Sequence, residues 1–134
     1  MSEVHAARRE RLRDRCAAAG AAAALVSRPA NVRYLSGCSP EGSVLLVGPG
    51  PGDVLVHRRR PSGDFAQGRA PDDVRSLVLP SPEGDPVVAA ADLARQQGAE
   101  ALAVEERHLT VARHRAIGPA APGLRLCEIG RAHV

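Results

Sequence analysis

The feature that most constrains the fold is a series of short apolar runs, each five or six residues long and bounded by Gly, Pro or charge. Runs of this length suit buried strands better than packed helices. Six of them are predicted to be strands, at residues 22–26, 43–48, 53–57, 75–79, 101–106 and 124–129. Tyr34 and Phe65 are the only Phe, Trp or Tyr residues, so the core must be built from Val, Leu and Ala.

Three segments outside these runs carry helix signals. Ser2 can cap a helix that ends near Ala19, with one apolar face and its arginines on the solvent side. Asp85 followed by Pro86 predicts the start of another helix, which Gly98 ends.

A third helix, VARHRAI, is predicted to begin after Thr110 and to end at Gly118 and Pro119. The Gly-Pro loop at 48–53 joins two runs as a hairpin, whereas strand and helix alternate in the second half of the chain. The sequence therefore predicts an α/β fold, a mixed β-sheet with helices on its faces.

Length and charge limit the function. The 134 residues suffice for one domain, and no run of about 18 apolar residues could span a membrane. The charged N-terminus has no apolar signal core, so a cytoplasmic location is expected. All 18 basic residues are Arg, but 15 acidic residues are interspersed and the net charge is only +3, so we expect no nucleic-acid partner.

No group of residues predicts a self-contained active site. Cys16, Cys38 and Cys127 are widely spaced and are interpreted as reduced thiols. The pair Glu105–Glu106 follows a strand, where functional carboxylates occur, but a solvated strand end packed against a helix cap is favoured. Arg58, Arg59 and Arg60 could grip phosphates or acidic peptides, but a solvated or partner-facing loop is favoured. The chain is predicted to be inactive alone and to hold no metal or cofactor.

In the connection SRPANVRYLSGC, residues 27–38, Pro29 and Gly37 are interpreted as residues that interrupt regular structure. Tyr34 and Leu35 are expected to anchor the connection in the core. This connection resembles the P-x-N-V-R-Y-L-[TS]-G-F connection of the creatinase/prolidase/aminopeptidase P family. The hairpin SVLLVGPGPGDVLVH and the segment LAVEERHLTVARHRAI are also similar to that family's N-terminal domain. The resemblance covers roughly residues 8–127.

This resemblance implies a non-catalytic N-terminal domain that precedes a pita-bread catalytic domain of a Xaa-Pro aminopeptidase or dipeptidase. The catalytic domain would hold two divalent metals, of the Mn or Co type, and would be the partner of this domain in a homo-oligomer. The N-terminal domain would make subunit contacts and shield the active site. A stand-alone interaction module of the same fold is the alternative.

Candidate subunit- or substrate-facing residues follow from the same resemblance: they are Arg33, Tyr34, Cys38, Arg58, Arg59 and Arg60. Cys38 replaces the family's aromatic, and HRRRPSGD stands where members often have T-D-x-R-Y. The domain is expected to span residues 1–127. The final EIGRAHV, residues 128–134, matches the translation of a common sequencing adapter, so an artefactual or truncated tail is expected there.

Overall fold

The fold consists of a sheet between two pairs of helices. The structure, a computed structural model, describes residues 2–38, 42–48, 53–58, 74–79, 84–105 and 107–129. The helices are α1 (Ser2–Ala18), α2 (Pro29–Ser36), α3 (Pro86–Gln96) and α4 (Val111–Ala120). The strands are β1 (Ala23–Val26), β2 (Val44–Val47), β3 (Asp53–Arg58), β4 (Val74–Leu79), β5 (Ala101–Val104) and β6 (Arg125–Glu128).

The strands form one mixed sheet in the order β4-β3-β2-β1-β5-β6, which confirms the predicted fold class. Strand β2 runs antiparallel to β1 and β3, as the predicted hairpin requires. The pairs β3–β4, β1–β5 and β5–β6 are parallel. All strands except β2 therefore point the same way, and their carboxyl ends meet at one edge of the sheet.

The core has two apolar clusters, one on each face of the sheet. Alternate residues of β1 divide between them: Ala24 and Val26 face α1 and α2, whereas Ala23 and Leu25 face α3 and α4. Buried Val, Leu and Ala make up most of both clusters, as the near absence of aromatic residues predicted.

The predicted caps of α3 and α4 are confirmed. The Asp85 carboxylate accepts a hydrogen bond from the Val87 amide at 3.0 Å, and the Thr110 hydroxyl accepts one from the Arg113 amide at 3.1 Å. The predicted end of α4 was wrong, since the helix continues through Pro119 to Ala120. Proline has no amide hydrogen, so Pro119 removes one hydrogen bond from the last turn, and α4 ends one residue after it.

The connection at residues 27–38, for which no helix was predicted, contains α2. Pro29 occupies its first turn, and Gly37 ends it in the left-handed conformation at φ +79°. Val32 and Leu35, three positions apart, face the core. The expectation for Leu35 is confirmed, but Tyr34 is 43% exposed and is not a core anchor. Helical periodicity turns it away from the face that Leu35 buries.

The end of the described chain is paired into the sheet. Glu128 pairs with Val104, and the Ile129 amide donates to the Val104 carbonyl at 2.7 Å. Ile129 is buried, whereas residues 130–134 lie outside the described residues. None of the helices in the described ranges is long and apolar enough to cross a bilayer.

Candidate functional site

The carboxylate of Glu105 holds the beginning of α2. Because β1 and β5 are parallel neighbours, Ser27 and Glu105, which follow them, meet at the same edge of the sheet. One Glu105 carboxylate oxygen accepts hydrogen bonds from the amides of Ser27 (2.8 Å) and Arg28 (2.9 Å), and the other accepts from Asn31 Nδ2 (2.6 Å). The Arg28 side chain makes no cap hydrogen bond, so a residue distant in sequence caps α2.

The turn after β5 folds back against the same point. His108 Nδ1 lies 3.1 Å from the Ser27 hydroxyl oxygen, and the His108 amide donates to the Glu105 carbonyl. Ser27 is only 6% exposed, so its hydroxyl is not presented to a substrate. Glu105 does contact the start of a helix, as the favoured interpretation has it, but both of its carboxylate oxygens are hydrogen-bonded there; Glu106 lies outside the described residues.

The other end of α2 presents a basic and aromatic surface. The Arg8 guanidinium lies over the Tyr34 ring, 4.0 Å from its centroid, and donates to the Tyr34 carbonyl at 2.9 Å. Arg33 precedes Tyr34 on the helix and is exposed. We call Arg8, Arg33 and Tyr34 the α2 patch; it can offer cations and an amphipathic ring to a docking partner.

A buried ion-pair network fixes the helices beneath this patch. Asp53 accepts from Arg9 Nε at 2.7 Å and from Arg13 Nη2 at 2.6 Å, and Arg9 Nη1 also donates to the Leu35 carbonyl at 2.8 Å. Arg9 is 2% exposed, so the expectation that the α1 arginines face solvent was wrong at this position. The network joins α1, the end of α2 and the start of β3.

This network also affects the charge of Arg13. Partial burial lowers the pKa of Arg13, but the hydrogen bond and charge of Asp53, together with the nearby Glu10, outweigh that effect and raise it above its ordinary value. Sequence reasoning did not find the network. Its only signals were the four-residue spacing of Arg9 and Arg13, which places both on one side of α1, and the acid that opens an apolar strand.

The remaining candidate residues are not brought to the α2 patch as one site. Cys38 is fully buried among the side chains that α1 and α2 cover, and this burial raises the pKa of its thiol. Arg58 is exposed at the end of β3, where its Nε donates to the Gly84 carbonyl at 2.7 Å. Arg59 and Arg60 lie outside the described residues.

The described residues do not fit a two-metal centre. In the ranges that the structure describes, no three His, Cys, Asp or Glu side chains are grouped so that they could hold a metal ion. A site of the kind that the resemblance implies needs several such ligands around each ion.

The fold is shared with solved peptidase structures. The N-terminal domain of the cytoplasmic peptidase PepQ from Mycobacterium tuberculosis H37Rv is 27% identical, with a TM-score of 0.76 and 95% of each chain covered. An Xaa-Pro aminopeptidase structure from Streptococcus pyogenes is 20% identical, with a TM-score of 0.75, and the match covers 96% of this chain and 94% of that one.

A longer protein shows the same fold over part of its length. The Xaa-Pro dipeptidase from Bacillus anthracis is 17% identical, with a TM-score of 0.73. The match covers 94% of this chain but only 34% of the dipeptidase, so the chain spans about a third of that enzyme. No curated protein sequence matches the chain significantly.

Residues 8–132 match the model of the creatinase/prolidase N-terminal domain. This range contains the connection that forms α2, the β2–β3 hairpin and the Glu105 segment. The match covers most of the chain and agrees with the observed sheet and helices. The chain therefore belongs to the creatinase/prolidase N-terminal domain family.

Proposed function

We propose that this chain is the non-catalytic N-terminal domain of a Xaa-Pro aminopeptidase or dipeptidase, and that it packs against a catalytic domain. The observation that carries the proposal is the family match over residues 8–132. The similarity to one third of a Bacillus Xaa-Pro dipeptidase supports it, because the rest of that enzyme leaves room for a second domain. Two divalent metals, of the Mn or Co type, would lie in that second domain.

The domain would make subunit contacts in a homo-oligomer and shield the active site. The α2 patch is the surface we assign to these contacts, since Arg8 lies over the half-exposed Tyr34 ring and the exposed Arg33 precedes Tyr34 on the helix. Two cations beside an aromatic ring suit an acidic surface that also offers apolar contact. The Asp53 network and the Glu105 cap would hold this patch rigid from below.

The other candidate residues have different roles in this proposal. Arg58, with Arg59 and Arg60, would form a second partner-facing segment at the end of β3. Cys38 would act only from within the core, by supporting the end of α2. The proposed domain spans residues 1–127; Glu128 and Ile129, which follow it, still pair with the sheet. A cytoplasmic location is proposed by analogy with PepQ.

The first test is the genomic DNA beyond Cys127. We expect the reading frame to continue into a segment that supplies the metal ligands of the family, two Asp, one His and two Glu. A stop codon directly after Val134 in clean genomic DNA would contradict the parent-enzyme proposal and favour a stand-alone module.

The second test is enzymatic. The purified chain, with Mn²⁺ or Co²⁺ added, should release no proline from Xaa-Pro dipeptides and no N-terminal amino acid from longer peptides with proline in second position. Turnover that is proportional to protein concentration and is abolished by a chelator would overturn the non-catalytic assignment. A trace of contaminating peptidase is recognised because its activity separates from the chain on gel filtration.

A further inference from the structure

Strand β4 is an edge strand whose outer side is open in the described part of the chain. It pairs in parallel with β3 along all six residues, Asp53 with Val74 through Arg58 with Leu79. It is the first strand in the sheet order, and no described strand pairs with its other side. An edge of this kind presents a row of main-chain donors and acceptors to any extended segment.

The four residues 75–78 of β4 are also exposed, on both faces of the sheet. Leu77 is 39% exposed and Val78 is 42% exposed, although they point to opposite faces of the sheet. Arg75 and Ser76 are exposed too, whereas Val74 is buried. Leu77 and Val78 therefore both remain in contact with water, and Arg75 is the single charged residue of the strand.

The opposite edge of the sheet is different. Strand β6 has only four residues, and exposed charged residues stand at both of its ends, Arg125 and Glu128. Leu126 and Cys127 between them are partly buried. Short edge strands with charged side chains are a common protection against edge pairing. Strand β4 is longer and has no acidic residue.

We propose that β4 pairs antiparallel with β4 of a second copy of this chain, joining the two sheets across a two-fold axis. A continuous sheet requires that directly opposite residues point to the same face. In the register centred on Leu77, that residue lies beside the partner's Leu77, Ser76 lies opposite the partner's Val78, and Arg75 lies opposite the partner's Leu79. Each exposed apolar side chain gains a cross-strand neighbour.

Charge favours this occupant over a partner of another kind. The register keeps Arg75 away from its own symmetry mate, so no like charges meet directly across the axis. A two-fold contact also uses one surface on both copies, and β4 is self-complementary in this sense. An acidic partner strand would satisfy only Arg75 and would place carboxylates beside Leu77 and Val78.

The association should be weak. A single ladder of five or six residues buries far less than the roughly 1,200–2,000 Å² of a stable interface. Each copy also carries a net charge of +3, so the two copies repel each other at low salt. The dimer should therefore depend on concentration and should strengthen as salt screens this repulsion.

This inference rests on the proposed function only for its place among the subunit contacts, and it names the strand that makes one of them. It can fail while the peptidase-domain assignment stands, because that assignment is tested by the downstream DNA and the proline-release assay. Conversely, a dimer formed through β4 by a chain whose frame stops after Val134 would support the inference alone.

The experiment is sedimentation equilibrium of the purified chain over a wide concentration range at moderate and high salt. We expect a monomer of 14.0 kDa that shifts reversibly toward twice that mass. Leu77→Lys places two ammonium groups beside each other across the axis and should abolish the shift. Val111→Lys is the matched control, because Val111 is 68% exposed on α4, away from β4, and this variant should dimerise like the wild type.

A second variant keeps the test decisive if Leu77→Lys unfolds. Val78→Lys changes the other face of the same strand and should also prevent dimerisation, with circular dichroism confirming its fold. A wild-type chain that stays monomeric throughout would overturn the inference. So would folded Leu77→Lys and Val78→Lys variants that associate as the wild type does, or a Val111→Lys variant that loses the dimer.

Discussion

Replacing Glu105 by alanine removes the acceptor of three hydrogen bonds at the start of α2. Hydrogen bonds to a charged group contribute about 1.5–3 kcal/mol each to stability. The Arg28 amide belongs to an exposed residue and can bond to water instead, so its loss costs little. The Ser27 amide is buried and cannot, and Asn31 loses its partner. We therefore expect Glu105→Ala to lower the free energy of unfolding by about 2–4 kcal/mol.

Two further variants provide smaller expected losses of stability with which that of Glu105→Ala can be compared. Glu105→Gln keeps one carbonyl oxygen but loses the charge and the second acceptor, so we expect a loss of about 1–2 kcal/mol. Asp92→Ala is the control, because Asp92 also accepts hydrogen bonds from two side chains, Arg95 and Gln96, but does so on the surface of α3. A surface interaction within one helix is worth at most about 0.5 kcal/mol.

Urea unfolding followed by circular dichroism at 222 nm measures these differences, since the chain has no Trp and one Tyr. The expected order of destabilisation is Glu105→Ala, then Glu105→Gln, then Asp92→Ala. If Glu105→Ala stayed within about 0.5 kcal/mol of the wild type, like the control, the conclusion that a remote carboxylate caps α2 would be refuted.

Three other perturbations test the network, the helix end and the buried thiol. Asp53→Ala leaves the Arg9 guanidinium buried without its carboxylate and should lower the free energy of unfolding by about 3–5 kcal/mol. A decrease below about 1 kcal/mol, measured by urea unfolding, would contradict the importance of this ion pair. Gly37→Ala adds a Cβ to a residue at φ +79°, only 2.8 Å from the His5 ring, so the melting temperature of this variant should fall. Adding His5→Ala should restore part of the lost melting temperature. No recovery in the double variant would show that the ring does not clash. Burial, with a smaller contribution from Cys127, raises the pKa of Cys16 from 9.0 to about 11. The unfolded thiol ionises first, so stability should decrease as pH rises through this window, and less so in Cys16→Ala; equal slopes in the two proteins would count against the shift.

The strands could be predicted because their runs are short, apolar and sharply bounded. The predicted bounds of β1 and β3 differ from the observed ones by a single residue, and residues 75–79, also predicted as a strand, lie in β4. The caps at Asp85 and Thr110 could also be predicted, because a polar side chain directly before a helix bonds to amides of that helix and needs no distant residue.

Helix α2 could not be predicted from its own residues because its cap comes from another part of the chain. Arg28 offers no side-chain oxygen, and the eight residues of the helix are too few to be stable alone. In the sequence, Pro29 and Gly37 therefore resemble loop residues, because the Glu105 contacts that cap the start of the helix form only on folding. The Asp53 network was missed for the same reason, since its members come from α1 and β3 and meet only after folding.

These two sets of contacts change the meaning of the connection that carries the family resemblance. Pro29 and Gly37 begin and end α2, Asn31 binds the carboxylate that caps it, and Leu35 packs in the core while its carbonyl accepts from Arg9. Most of the motif therefore builds and fixes a helix. Arg33 and Tyr34 carry the large exposed side chains of the motif, so a docking role for the motif would act through them. Changes at Glu105 or Asp53 would then weaken docking only indirectly, by loosening the helix that carries the α2 patch.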